Sequence, residues 1–97
     1  MSASLSTHVL DTGRGQPASG VLVELFQGAE LVATGVTGAD GRIADFADEL
    51  EPGPFRLVFH AETDFFARLE VEVALGDGHF HIPLLVSPYS CTTYRGS

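Results

Sequence analysis

Two histidines on one predicted strand are the residues of this chain best suited to chemistry. His79 and His81 stand two positions apart in the run H-F-H-I-P-L-L-V-S. Alternate side chains of an extended strand point to the same face, roughly 7 Å apart. Imidazole titrates near neutral pH, so the pair can transfer protons, and it can bind zinc if a third ligand arrives from elsewhere. Plain surface histidines are the remaining interpretation, and the spacing alone leaves all three open.

Three further polar side chains are candidates for binding or chemistry. His8 lies on a mixed face of the strand predicted in L-S-T-H-V-L-D. Arg42 follows the G-A-D-G turn, where its planar guanidinium either stays solvated or binds an anionic or carbonyl-rich ligand. Tyr94 falls on a strand predicted for residues 89–95. When each is considered alone, the default interpretation is that His8 is a structural residue and that Arg42 is a solvated arginine at a hairpin end.

The elements that must position these residues are short strands. Turn-forming Gly, Pro and Asp residues recur at short intervals along the chain, which favours many strands over long helices. Between the turns apolar and polar residues alternate, as in residues 68–75 and 55–60. About eight short strands in under 100 residues predict an all-β fold, an antiparallel sandwich of two sheets. A strand is also expected at residues 42–46, and one short helical turn at residues 62–67, capped by Thr63 or Asp64.

The last long strand has one face that suits a core and one that does not. Phe80, Ile82, Leu84 and Val86 share a uniformly apolar face, which we expect inside the sandwich. The opposite face carries the two histidines together with proline and leucine. This mixture fits neither a core nor an ordinary solvated surface, so we expect something other than bulk water to cover it.

Composition restricts the class of protein. Acidic residues outnumber Lys plus Arg by 13 to 5, giving a net charge of -8, which repels nucleic acid phosphates and anionic membrane surfaces. No stretch approaches the roughly 20 apolar residues of a spanning helix, and the N-terminus lacks a signal-peptide pattern. We therefore expect a cytoplasmic protein that binds neither nucleic acid nor membrane.

The length of the chain and its single cysteine set two further expectations. Ninety-seven residues with 44% hydrophobic content are enough for one domain, residues 1–97, with one core. Cys91 has no partner for an intramolecular disulfide and no companions for a thiolate metal site. We expect it to be buried and inert, because free cysteine usually behaves as a small hydrophobe.

Three separated stretches of sequence together carry a family pattern. They are L-S-T-H-V-L-D-T-G-R-G-Q-P-A at residues 5–18, T-G-A-D-G-R-I at residues 37–43, and residues 79–97, which end in Y-R-G-S. This combination resembles the transthyretin-like family, and within it the 5-hydroxyisourate hydrolases of purine catabolism. Transthyretins proper share the S-P-Y-S segment but lack the two histidines, the arginine and the Y-R-G-S ending. The resemblance therefore favours an enzyme over a non-catalytic carrier of small ligands.

The resemblance implies an assembly, a reaction and a set of site residues. It implies a prealbumin-like sandwich that forms a homotetramer as a dimer of dimers, with the mixed faces lining a channel. The implied reaction converts 5-hydroxyisourate to 2-oxo-4-hydroxy-4-carboxy-5-ureidoimidazoline without a metal or other cofactor. By matching positions, His8, Arg42, His81 and Ser97 are the implied catalytic residues, and His8, Arg42 and Tyr94 bind the substrate.

The residue types suit such a reaction. Opening a cyclic amide-like bond requires an activated water, stabilisation of the developing oxyanion and a proton for the leaving nitrogen. We expect His81 to activate the water and His8 to polarise or protonate the substrate. The sequence leaves open which histidine is the base and which is the acid. Arg42 would stabilise the oxyanion and Tyr94 would orient the ring. His79 has no role in this scheme.

Overall fold

The computed structural model describes residues 1–96 and arranges them as two β-sheets packed face to face. The larger sheet has the order β2, β1, β8, β9, with β5 also paired to β1, and the smaller has the order β4, β3, β6, β7. The strands are β1 (Ala3–Asp11), β2 (Gln16–Pro17), β3 (Leu22–Gln27), β4 (Glu30–Val36), β5 (Ala47–Leu50), β6 (Gly53–Phe59), β7 (Leu69–Leu75), β8 (Gly78–Ser87) and β9 (Ser90–Thr93). The predicted all-β sandwich is confirmed, with nine strands in place of about eight.

The core lies between the sheets and follows the predicted alternation. In β7 the residues at odd positions are partly or fully buried, while those at even positions are exposed. In β8 the predicted apolar face packs inward, with Leu84 only 1% exposed. The largest fully buried side chains are Phe59, Leu5, Leu25, Leu57 and Leu84. Burying each such side chain contributes about 1.5–3 kcal/mol, so the core fixes which face of each strand is turned outward.

The central pair of the larger sheet, β1 and β8, is parallel. The register runs without interruption from Ala3 opposite Gly78 to Asp11 opposite Val86. Thr7, which is buried, donates from its hydroxyl to the carbonyl of Ile82 at 2.8 Å. The remaining strand pairs are antiparallel, so this pair departs from the expected pattern. Parallel pairing places the outward side chains of β1 and β8 in adjacent rows.

The prediction of a helical turn at residues 62–67 is wrong, because no helix forms within residues 1–96. The hydroxyl of Thr63 accepts from the backbone N–H of Phe66 at 2.8 Å, as a helix cap would. However, the N–H of Thr63 itself donates to the carbonyl of Phe66 at 2.8 Å. A helix needs that carbonyl to accept from a residue further along, so the chain closes a tight turn and continues into β7. Consequently, no helix in the part of the chain that is described could cross a membrane.

The strand predicted at residues 42–46 is also wrong. Arg42 makes one isolated antiparallel bridge with His8. A turn then follows at Ala44 and Asp45, and Asp45 adopts a φ of 50°. The turn at Ala44 and Asp45 takes the chain away from the extended path that starts at Arg42, and β5 begins only at Ala47.

Candidate active site

The outward face of β1 and β8 brings the histidines predicted to act together onto one surface. In the parallel register Ser4 lies opposite His79, Ser6 opposite His81, and His8 opposite Pro83. We call the surface formed by Ser4, Ser6, His8, His79 and His81 the histidine face. Its members point outward because their neighbours in each strand are core residues.

A continuous hydrogen-bonded chain runs across this face. The hydroxyl of Ser4 lies 2.7 Å from Nδ1 of His79, and Nε2 of His79 lies 2.9 Å from the hydroxyl of Ser6. The same Ser6 oxygen lies 2.8 Å from Nδ1 of His81. Among the described residues no hydrogen bond engages Nε2 of His81, so this end of the hydrogen-bonded chain is free to face a bound molecule.

The surroundings of His81 favour its neutral form. The ring is half-buried, and the pKa of His81 is lowered first by burial and then by the charges of Arg42, His8 and His79. Burial disfavours the charged imidazolium, and nearby positive charges disfavour it further. At neutral pH this histidine is therefore an unprotonated base.

Gly96 holds His81 in place from the C-terminal side. The backbone N–H of Gly96 donates to the carbonyl of His81 at 2.6 Å. A Cβ added at this glycine would lie 2.8 Å from Cδ2 of the His81 ring. The segment can approach the imidazole this closely only because residue 96 has no side chain.

The turn that precedes Arg42 positions His8. Nε2 of His8 lies 2.9 Å from the carbonyl oxygen of Asp40. A carbonyl only accepts, so Nε2 carries the proton and the lone pair of the neutral ring sits on Nδ1. Gly41 makes this approach possible, because its φ is +79° and an added Cβ would collide with the carbonyl oxygen of Val9.

Arg42 places an exposed positive charge beside the histidine face. Its backbone N–H donates to the side chain of Asp40 at 2.9 Å, which fixes the turn. The residue lines an open groove of about 580 Å³ together with Ser6 and Asp45. Within residues 1–96 the guanidinium of Arg42 forms no salt bridge, so it remains available for an anionic or carbonyl-rich ligand.

Tyr94 lies just beyond the end of β9 and is separate from the three residues above. It is 53% exposed and borders a groove of about 300 Å³ with Arg95, Phe80 and Val73. The guanidinium of Arg95 sits 4.7 Å from the centre of the Phe80 ring. No hydrogen bond joins Tyr94 to the histidine face among the residues described, and Ser97 lies outside them.

Comparison with known proteins identifies the family. The model of the HIUase/Transthyretin family matches residues 5–96. The chain belongs to this family. A 5-hydroxyisourate hydrolase of Pseudomonas aeruginosa is 40% identical over 114 residues, spanning 96% of this chain and 90% of that protein.

Solved structures with this fold include a 5-hydroxyisourate hydrolase and a transthyretin. The structure of Klebsiella pneumoniae 5-hydroxyisourate hydrolase matches with a TM-score of 0.91 and 39% identity, covering 98% of this chain and 99% of that one. Sea bream transthyretin, solved in complex with thyroxine, matches with a TM-score of 0.87 and 30% identity, covering 96% and 94%. The fold of this chain is therefore common to both branches of the family.

Sequence reasoning missed the serines of the histidine face. Ser4 and Ser6 alternate with core residues in β1 as His8 does. This alternation was the signal in the sequence that could have placed them on the same face as His8. Their contact with β8 depends on the parallel register, which the sequence pattern did not reveal.

Both ring nitrogens of His79 are occupied by these hydroxyls, and residues 1–96 contain no cluster of three His, Cys, Asp or Glu side chains arranged around a metal position.

Proposed function

We propose that this protein hydrolyses 5-hydroxyisourate to 2-oxo-4-hydroxy-4-carboxy-5-ureidoimidazoline. One observation carries the proposal: β1, β8 and the turn before Arg42 bring His8, His81 and Arg42 to one face of the larger sheet. Relatives that share this fold at about two-fifths identity are named for that activity. The three residues supply a base, a polarising group and a cation, which are the groups that amide hydrolysis needs.

In the proposed mechanism His81 is the base. Its Nε2 removes a proton from water, and the water oxygen attacks the ring carbonyl carbon of the substrate. The lowered pKa of His81 keeps the base unprotonated at neutral pH, so little enzyme is lost to the inactive protonated form.

The remaining groups act on the substrate. Arg42 stabilises the oxyanion that forms at the attacked carbonyl, because its guanidinium is exposed and carries a fixed charge. His8 keeps its Nε2–H hydrogen-bonded to the Asp40 carbonyl, and in its protonated form it gives the Nδ1 proton to the leaving nitrogen as the ring C–N bond breaks. The family pattern assigns Tyr94 to orienting the ring and Ser97 to the catalytic residues.

We also propose that the site works within a homotetramer. The outward face of the larger sheet carries Leu10 and Leu85 beside the histidines, and both are only partly buried in the single chain. A second sheet of the same kind would cover these leucines and enclose His8 and His81 in a channel, with His79 at its solvent-exposed mouth. Enclosure would exclude bulk water and strengthen the electrostatic contribution of Arg42.

The decisive experiment follows the decay of 5-hydroxyisourate generated by urate oxidase, with and without the protein. We expect acceleration by the wild type and by His60→Ala, which alters a histidine on the smaller sheet that contacts Glu24. His81→Ala and His8→Ala should lose most of it. A chelator should leave the rate unchanged, whereas loss on chelation would favour a metal enzyme. Decay at the spontaneous rate in the presence of wild type would refute the proposal.

A non-catalytic carrier is the alternative, and the similarity to sea bream transthyretin with bound thyroxine supports testing it. A carrier should bind a small aromatic ligand with an affinity that His81→Ala leaves largely intact. Calorimetric titration of wild type and variant would distinguish the two functions, because the hydrolase needs the histidine and the carrier does not.

A further inference from the structure

Three residues of the histidine face, Ser4, Ser6 and His79, have no part in the proposed mechanism. Ser6 touches Nδ1 of His81 at 2.8 Å and Nε2 of His79 at 2.9 Å through one oxygen. A serine hydroxyl has one proton to donate and can accept at the same time. If it donates to one imidazole, the other must donate to it, and both rings and the hydroxyl then share one direction of donation.

We propose that Ser6 and His79 form a proton relay that sets the tautomer of His81 and carries away the proton that His81 gains. This inference rests on the hydrolase function proposed above. Before reaction His81 holds its proton on Nδ1 and donates to Ser6, which donates to Nε2 of His79. The lone pair on Nε2 of His81 is then free to act as the base.

The relay step balances atom by atom. When water attacks, one O–H bond of the water breaks and a C–O bond forms on the substrate, while the π pair of the carbonyl moves onto its oxygen as the oxyanion and the proton joins Nε2 of His81. The Nδ1 proton of His81 then passes to the Ser6 oxygen, while the hydroxyl proton of Ser6 passes to Nε2 of His79. His81 ends neutral with its proton on Nε2, and His79 carries the positive charge until it releases a proton to solvent. When Nε2 of His81 later gives up its proton, His79 takes one up from solvent and the same transfers in reverse restore the proton on Nδ1.

The surroundings favour this direction of transfer. His81 is half-buried and faces the positive charge of Arg42, whereas His79 is exposed. His79 also lines an open groove of about 260 Å³ with the acidic residues Asp45 and Asp48. A positive charge is better tolerated on an exposed ring than on a half-buried ring near a guanidinium. Ser6 and His79 are thus positioning residues that act through His81.

Steady-state kinetics on 5-hydroxyisourate test the relay. We expect His79→Ala and Ser6→Ala to lower kcat by about ten-fold, less than the 10²–10⁴ typical of a direct acid or base, with KM nearly unchanged. Ser6→Thr keeps the hydroxyl and should retain activity. Free imidazole should restore kcat of His79→Ala, because the position is open to solvent, and should not affect wild type or His60→Ala. A wild-type kcat in His79→Ala, an effect confined to KM, or a loss that imidazole leaves unchanged would overturn the relay.

Nitrogen-15 NMR of the histidine rings tests the relay without substrate. Neutral His81 should carry its proton on Nδ1 in wild type and in Ser6→Thr, and should lose this preference in Ser6→Ala. A neutral His81 protonated on Nε2 in wild type would overturn the relay. If wild type fails to accelerate the decay of 5-hydroxyisourate, the hydrolase proposal fails by itself, and the NMR result still decides whether Ser6 sets the tautomer of His81.

Discussion

For the base proposed at His81, two requirements act against each other. Burial and neighbouring positive charges lower its pKa and keep it neutral, yet a base with a lower pKa removes a proton less readily. Arg42 would act on the base and on the substrate. Its positive charge lowers the pKa of His81, and it would stabilise the negative charge that forms on the substrate. The position of one guanidinium thus links substrate binding to the protonation of the base.

Substituting Arg42 should raise the pKa of His81. Removing a positive charge makes the imidazolium easier to form. In a proton NMR titration, His81 should therefore titrate at higher pH in Arg42→Gln than in wild type. Arg42→Lys keeps the charge and serves as the control. In wild type the acid limb of kcat/KM should lie below the ordinary histidine pKa of about 6.5. An unchanged His81 titration in Arg42→Gln would show that the guanidinium does not act on this ring.

Substituting Gly96 should impair catalysis more than stability. The added Cβ would lie 2.8 Å from the His81 ring, so the ring or the C-terminal segment must move, and a misplacement of about 1 Å can cost roughly 10²-fold in rate. We expect Gly96→Ala to lower kcat by about ten-fold to a hundred-fold, with a small change in the free energy of unfolding measured by urea denaturation. Gly76→Ala is the matched control, because nothing lies within 4 Å of its Cβ position. Equal rates in the two variants would contradict this role for Gly96.

At the scale of elements, local alternation predicted the strands but not their partners. The inward faces of β7 and β8 could be read from the sequence because the period of two reports burial directly. The parallel pairing of β1 with β8 joins residues more than 70 positions apart, and no local pattern reports it. The same limit explains why Ser6 was missed. The expected helical turn failed because Thr63 bonds to Phe66 in both directions, which a capping residue in a sequence does not reveal.

The parallel pair should depend on the buried hydroxyl of Thr7. This side chain is 1% exposed and donates to the carbonyl of Ile82, so Thr7→Val keeps the shape and removes the donor. We expect the free energy of unfolding to fall by about 1–2 kcal/mol in urea denaturation. Thr7→Ser loses a methyl group but keeps the bond, and its amide exchange in β1 and β8 should remain slow. Faster exchange in Thr7→Ser than in Thr7→Val would show that packing, and not the hydrogen bond, holds the pair.

At the scale of the whole molecule, the larger sheet has an outward surface that one chain leaves uncovered. Leu10 and Leu85 are adjacent in the parallel register, and Leu85 also lies opposite Thr92 of β9. These side chains lie next to the histidine face. In the proposed assembly, association through this surface would cover the leucines and at the same time enclose His8 and His81.

Placing a charge at Leu85 should therefore affect assembly and catalysis together. In the proposed tetramer Leu85→Glu would bury an unpaired carboxylate, which is strongly unfavourable. We expect light scattering to show four times the 10.3 kDa protomer mass for wild type and a smaller species for the variant, with activity reduced in parallel. Leu31→Glu is the control, because Leu31 is 47% exposed on β4 of the smaller sheet and should change neither property. A Leu85→Glu protein that keeps full activity as a smaller species would show that one histidine face is sufficient for catalysis and that the channel is not required.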